Sequence, residues 1–177
     1  MTPAEFTRKW KHSPVIRFRL TSPLSSGLSR ESAAALKDFG LPQSAEPWLS
    51  FGEFVKTDAQ SEAALIEKEL FPVGVLANGS LICIEKRTDR LVIFDRDDPD
   101  ELWILNSSLQ AFYESAAVFD GFITEVNRRN PKYSSDFRIP EGMLSELGEK
   151  LADCDPEAMA AKGYWYCELT VLDDSVI

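Results

Sequence analysis

Seven consecutive residues, Asp95-Arg96-Asp97-Asp98-Pro99-Asp100-Glu101, place five carboxylates side by side, and such a cluster could attract a hard cation or a basic partner. As a calcium loop of the helix–loop–helix kind the segment fails. Counting from Asp95, Pro99 stands fifth, Asp100 replaces the glycine needed at six, and Asn106 replaces the bidentate glutamate at twelve. The remaining uses are a solvated acidic bend or a contact surface for a basic protein, so Asp95, Asp97, Asp98, Asp100 and Glu101 are the candidate partner-binding residues.

Catalytic constellations are hard to assemble from the rest. The chain has one histidine, His12, set among Arg8, Lys9 and Lys11 near the end of an N-terminal helix, where the helix dipole favours a cation. A hydrolytic triad needs a histidine held between a nucleophile and a carboxylate, and no nucleophile motif adjoins it. Cys83, Cys154 and Cys167 are widely separated and form no CxxC pair, so a zinc site with four clustered ligands is not indicated. Gly74 and Gly79 belong to neither a phosphate loop nor a dinucleotide fingerprint; Gly79 reads as a turn residue and Gly74 as a bulge or close-packing point. With 29 acidic residues, no feature selects a catalytic pair. Tyr164, Trp165 and Tyr166 could form an aromatic surface, but core packing is the commoner use of such residues. The expected site inventory therefore holds no catalytic residue, no metal and no cofactor.

Charge narrows the choice of partner. Of a net −10, the first 60 residues carry eight Lys+Arg against six Asp+Glu, and the following 117 carry 11 against 23. Such acidity repels phosphate backbones, which argues against direct nucleic-acid binding and for a basic protein partner. No apolar run approaches the roughly 20 residues needed to cross a bilayer. The first ten residues lack the apolar core of a signal peptide. Together with the odd cysteine count, these features predict a cytoplasmic protein without membrane association.

The elements that must position these residues are plain in places. Thr2, Pro3 and Glu5 predict a capped first helix with Phe6 and Trp10 on one face. Ser29 caps a second, Arg30 to Asp38, which Gly40 ends and Pro42 keeps from resuming. A strand is expected over 48–55 and a short helix or turn over 58–69. Then follow strands near 72–77, 80–85, 91–95 and 102–105, the first two joined by Asn78-Gly79, the dipeptide of a two-residue type I′ hairpin turn. Ser107 and Gln110 predict a capping box for a long helix, along which Leu109, Phe112, Tyr113, Ala116, Phe119, Ile123 and Val126 make one apolar stripe. A further helix carries Met143, Leu144, Leu147 and Leu151 inward. Asp155-Pro156-Glu157 is expected to restart a short helix ending by Gly163. Residues 164–176 fit a helix over more positions than a strand. These elements predict one α+β domain with a central, mainly antiparallel sheet of five or six strands and helices packed around it.

The order of short motifs resembles one family. Gly40-Leu41-Pro42 precedes Phe71-Pro72-Val73-Gly74, Gly79 to Ile84, Thr88-Asp89-Arg90-Leu91-Val92 and Asp95. Then come Asn106-Ser107-Ser108-Leu109, Phe112, Asp155-Pro156 and Tyr164-Trp165. This succession is similar to the SUKH (Smi/Knr-like) superfamily, in particular its fourth subfamily of bacterial immunity proteins, over roughly residues 40–170. The resemblance implies an α+β fold and a non-enzymatic role: binding and neutralising the toxin domain, often a nuclease or deaminase, of a polymorphic or contact-dependent toxin system. Relatives in fungi regulate cell-wall synthesis, so a protein-binding scaffold for an endogenous partner is the alternative. An enzyme working through paired carboxylates is the second.

Overall fold

A six-stranded antiparallel sheet organises the chain, and two of its interior strands explain the continuous apolar runs of the sequence. The computed structural model describes residues 1–52 and 58–174. In β6 (Leu81–Glu85) and β7 (Leu91–Phe94) successive residues point to opposite faces, yet Leu81 to Ile84 and Leu91 to Phe94 are all buried. Both faces of the sheet are therefore covered, and an alternating polar face has no place there. Ile82, Ile84, Leu91 and Ile93 enter the larger core. Leu81, Cys83, Val92 and Phe94 enter a smaller one on the other face with Leu65 and Leu70.

The strands run in the order β3 (Ser44–Ala45), β4 (Leu49–Phe51), β5 (Leu70–Leu76), β6, β7 and β8 (Leu102–Asn106), every neighbour antiparallel. The strand expected over 48–55 is realised as Leu49–Phe51, and 53–57 lie outside the described residues. A separate two-stranded ribbon pairs β1 (Val15–Ile16) with β2 (Leu41–Pro42). Between β5 and β6 the register shifts from Pro72↔Cys83 to Gly74↔Ile82, leaving Val73 as the extra residue of a bulge. A proline that cannot donate to the ladder is at home there. Gly74 is required by close approach, since a Cβ on it would lie 2.4 Å from the Ser50 carbonyl oxygen.

The hairpin after β5 forms where Asn78-Gly79 predicts it, but with a different turn. Only Gly79 has a positive φ, 93°, whereas a type I′ turn needs two such residues. Gly79 N donates to Leu76 O at 3.0 Å and Leu76 N to Ser80 O at 2.9 Å. The connection is thus the three-residue Ala77-Asn78-Gly79, a tight turn followed by a glycine in the left-handed region. The Asn78 carboxamide oxygen accepts from Ser80 N at 3.0 Å and holds the loop from inside.

Helices cover the larger core. α1 (Pro3–Lys9) has the predicted capping box, and Phe6 stacks on Trp10 and tilts against Tyr113, ring centroids 4.9 Å apart in each pair. α2 (Arg30–Ala34) is capped by Ser29 and continues as a π-helical turn over Ala35–Phe39 to Gly40. α3 (Ala59–Glu67), capped by Asp58, packs on β5 and contributes Leu65 to the smaller core. The long α4 (Leu109–Arg129) buries the expected stripe, with Phe122 added and Ile123 half-buried. Its cap is Ser108, whose Oγ accepts from Ala111 N at 3.1 Å, and not the expected box of Ser107 and Gln110. Gln110 turns instead to the Met1 carbonyl and Glu114. After a single turn, α5 (Tyr133–Asp136), α6 (Met143–Cys154) packs along α4, and α7 (Tyr164–Asp174) is helical as predicted. Residues 155–163 are not a helix but a run of single turns, among them Ala160 N to Glu157 O and Gly163 N to Ala160 O.

Candidate partner-binding surface

The five carboxylates of the acidic bend lie on the connection between β7 and β8. Asp95 Oδ1 accepts from Asp97 N at 2.9 Å, and Glu101 N approaches Asp98 O at 3.4 Å across Pro99, so the bend is two short turns in series. Asp97, Asp98 and Asp100 are exposed, while Asp95 and Glu101 are half-buried. The bend also meets cations of its own chain. Lys162 pairs with Glu101, whose carboxylate together with Asp98 raises the lysine's proton affinity, and Lys68 Nζ lies 3.7 Å from Asp100. Arg96 points back to Asp58, 3.9 Å away, at the start of α3. The structure thus keeps the five residues in one loop, in which Asp97 and Asp98 are exposed and form no ion pair within 4 Å among the described residues. Among the described residues no group of three or more His, Cys, Asp or Glu could hold a metal ion.

Other groups with chemical potential have structural occupations. His12 lies beyond the end of α1, and its Nε2 pairs with Asp120 Oδ1 at 2.9 Å. A carboxylate of α4, rather than the α1 dipole, therefore explains its position. Burial raises Asp120 above the usual carboxylate range, and His12 partly opposes that rise. Burial also pushes all three thiols up, most strongly at fully enclosed Cys83, away from the thiolate a nucleophile needs. Of the aromatic trio, Tyr164 and Trp165 are core and only Tyr166 is exposed.

A buried polar cluster that the sequence did not reveal ties the late motifs together. Asn106, wholly buried at the end of β8, donates through Nδ2 to Asp155 Oδ2 at 2.9 Å and to Ser115 Oγ at 3.1 Å. Its Oδ1 accepts from Trp165 Nε1 at 3.1 Å. Because a carboxylate only accepts and an indole N–H only donates, this orientation of the carboxamide alone satisfies both. Asp155 is 2% exposed and also accepts from Ser107 N at 2.7 Å. That bond draws Ser107 away from α4 and leaves the cap to Ser108. One cluster thereby joins β8, α4, the end of α6 and the start of α7.

The earlier motifs serve the scaffold as well. Asp89, at a φ of 59°, accepts from Ser32 Oγ at 2.8 Å. Arg90 reaches Glu157 at 2.9 Å, and the Gly40 carbonyl accepts from Tyr113 Oη at 2.8 Å.

A family model described as SUKH-4 immunity protein matches residues 15–173 of the 177. No curated protein and no solved structure gives a match.

Proposed function

The chain belongs to the SUKH-4 immunity protein family, and we propose that it binds and neutralises the toxin domain of a bacterial polymorphic or contact-dependent toxin system, without catalysis of its own. The family match over residues 15–173 carries this reading. We take the whole chain to act as one SUKH-like domain, in the cytoplasm, where three free cysteines suit a reducing environment.

Charge supports the choice of partner. A nuclease or deaminase that engages nucleic acid presents a cationic groove to phosphates. A protein of net −10 is attracted to such a groove, and an inhibitor need only occlude it. In this reading Asp95, Asp97, Asp98, Asp100 and Glu101 face the toxin and steer its approach. No helix of the described residues is long and apolar enough to cross a membrane.

Co-expression is the test. The neighbouring genes are searched for a toxin domain, which is then induced in a susceptible host with and without the chain. Growth restored only when the chain is present, with the two proteins co-eluting, is the expected result. Undiminished killing with no co-elution would contradict the proposal.

A further inference from the structure

The turn between β3 and β4 consists of Glu46, Pro47 and Trp48, and Trp48 is displayed rather than packed. It is 67% exposed, and its φ of 61° is an outlier for so bulky a residue. The ring so displayed is open to a partner rather than committed to the core. The Pro47 carbonyl accepts from Tyr164 Oη, so the turn is fixed to the start of α7. Trp48 also lines a cavity of about 460 Å³ together with Trp10, His12, Glu46, Ala77 and Asp120 among others. Asp120 is already paired with His12, so the exposed Glu46 carboxylate and the exposed Trp48 ring are the groups left to a cation, which gains from both a carboxylate and a π-face.

Sheet topology relates this turn to the acidic bend. Because all neighbours are antiparallel, the β3–β4 turn, the exposed Ala77-Asn78-Gly79 loop and the Asp95–Glu101 bend emerge at the same end of the sheet. Four strand spacings separate the outer two, about 19 Å at the usual interstrand distance. A standard interface, of roughly 800 Å² on each partner, spans that distance. It would combine an aromatic anchor at one side with an acidic rim at the other, the usual division of labour at an interface.

We propose that the concavity under Trp48 receives an arginine or lysine side chain of the protein partner, with Trp48 and Glu46 as its principal contacts. The identity of that partner as a basic toxin rests on the immunity reading, whereas the cation seat itself does not.

Two measurements separate the claims. In the first, the full chain labelled with ¹⁵N-tryptophan is titrated with a nona-arginine peptide and, separately, with nona-glutamate. The Trp48 indole resonance moves saturably with the first only, that of fully buried Trp165 stays in place, and Glu46→Gln weakens the response about ten-fold or more. A stationary Trp48 signal, or equal movement of Trp165, would overturn the seat whatever the toxin does. In the second, Trp48→Gly is tested against the toxin domain encoded beside the gene. Glycine is at ease at a φ near 61°, so thermal stability holds or rises while affinity falls about thirty-fold or more, as for an aromatic hot spot. Undiminished affinity would remove Trp48 from the interface. If the wild-type chain fails to bind the toxin, the immunity reading falls and the peptide titration alone decides the seat.

Discussion

Replacing Asn106 by alanine should be among the most damaging single changes in the chain, although Asn106 has no predicted contact with a partner. The wild-type carboxamide makes three buried hydrogen bonds, to Asp155, Ser115 and Trp165. Its loss leaves the Trp165 indole N–H without an acceptor in a fully enclosed site, a cost of about 1–3 kcal/mol. Asp155, 2% exposed, keeps its bond from Ser107 N but loses its amide donor, worth about 1.5–3 kcal/mol for a charged acceptor. Ser115 can rotate its hydroxyl and adds little. The total is about 2.5–6 kcal/mol, against a whole-protein stability of about 5–15 kcal/mol. Urea denaturation followed by fluorescence and circular dichroism measures it. With a slope of roughly 2 kcal/mol per molar, the midpoint should fall by about 1.2–3 M. Trp165→Phe, which keeps the ring and removes the donor, should cost about 1–3 kcal/mol alone and much less in the Asn106→Ala background, because the pair shares one bond. A midpoint shift below about 0.5 M, or strict additivity of the two changes, would refute the assignment of this cluster as the tie between β8, α4, α6 and α7.

Gly74→Ala should lower the melting temperature by about 6–12 °C, since its Cβ would press on the Ser50 carbonyl and force β4 from β5 at about 3 kcal/mol; an unchanged melt would show that the ladder can give way. Glu168 is raised above the usual carboxylate range by burial, with Tyr164 opposing, so its ionised form is disfavoured in the fold. Wild-type stability therefore gains as pH falls through the raised folded value toward the ordinary one, and Glu168→Gln should flatten that segment of the stability–pH curve in denaturation series. The opposite sign holds for Glu114, lowered chiefly by its bond from the N-terminal ammonium: its contribution is present above the ordinary carboxylate value and lost as pH falls through the depressed one, a loss Glu114→Gln should abolish. Reversing Asp97, Asp98 and Asp100 to lysine should leave the melt nearly unchanged. It should slow toxin association about ten-fold or more at low salt, with a smaller effect at moderate salt, in a stopped-flow or surface-binding assay.

The sheet and the long helix were legible because their signals are local. The apolar runs of β6 and β7, the position of the Asn78-Gly79 hairpin and the stripe from Leu109 to Val126 each depend on residues close in sequence. The type of that hairpin turn differs from expectation for a local reason, since only Gly79 takes a positive φ; the other differences arose where a distant partner decided the outcome. Asp155, more than forty residues away, takes Ser107 N and shifts the α4 cap to Ser108. The same carboxylate is committed to Asn106, and 155–163 form separate turns where Asp155-Pro156-Glu157 looked like a helix start. The two-residue strands β1, β2 and β3 are too short to leave a period in the sequence. The acidic bend could be picked out by composition alone. Trp48 could not, because in sequence it reads as one more apolar residue opening a strand, and only the turn that displays it at positive φ sets it apart.

Hydrogen–deuterium exchange of the chain, free and bound to the toxin domain encoded beside its gene, tests the central claim most directly. The account predicts that binding protects amides around 46–48, 77–79 and 95–101, which the antiparallel order gathers at one end of the sheet. Protection confined to the opposite end, around 86–90, or no protection at saturating toxin, would contradict it.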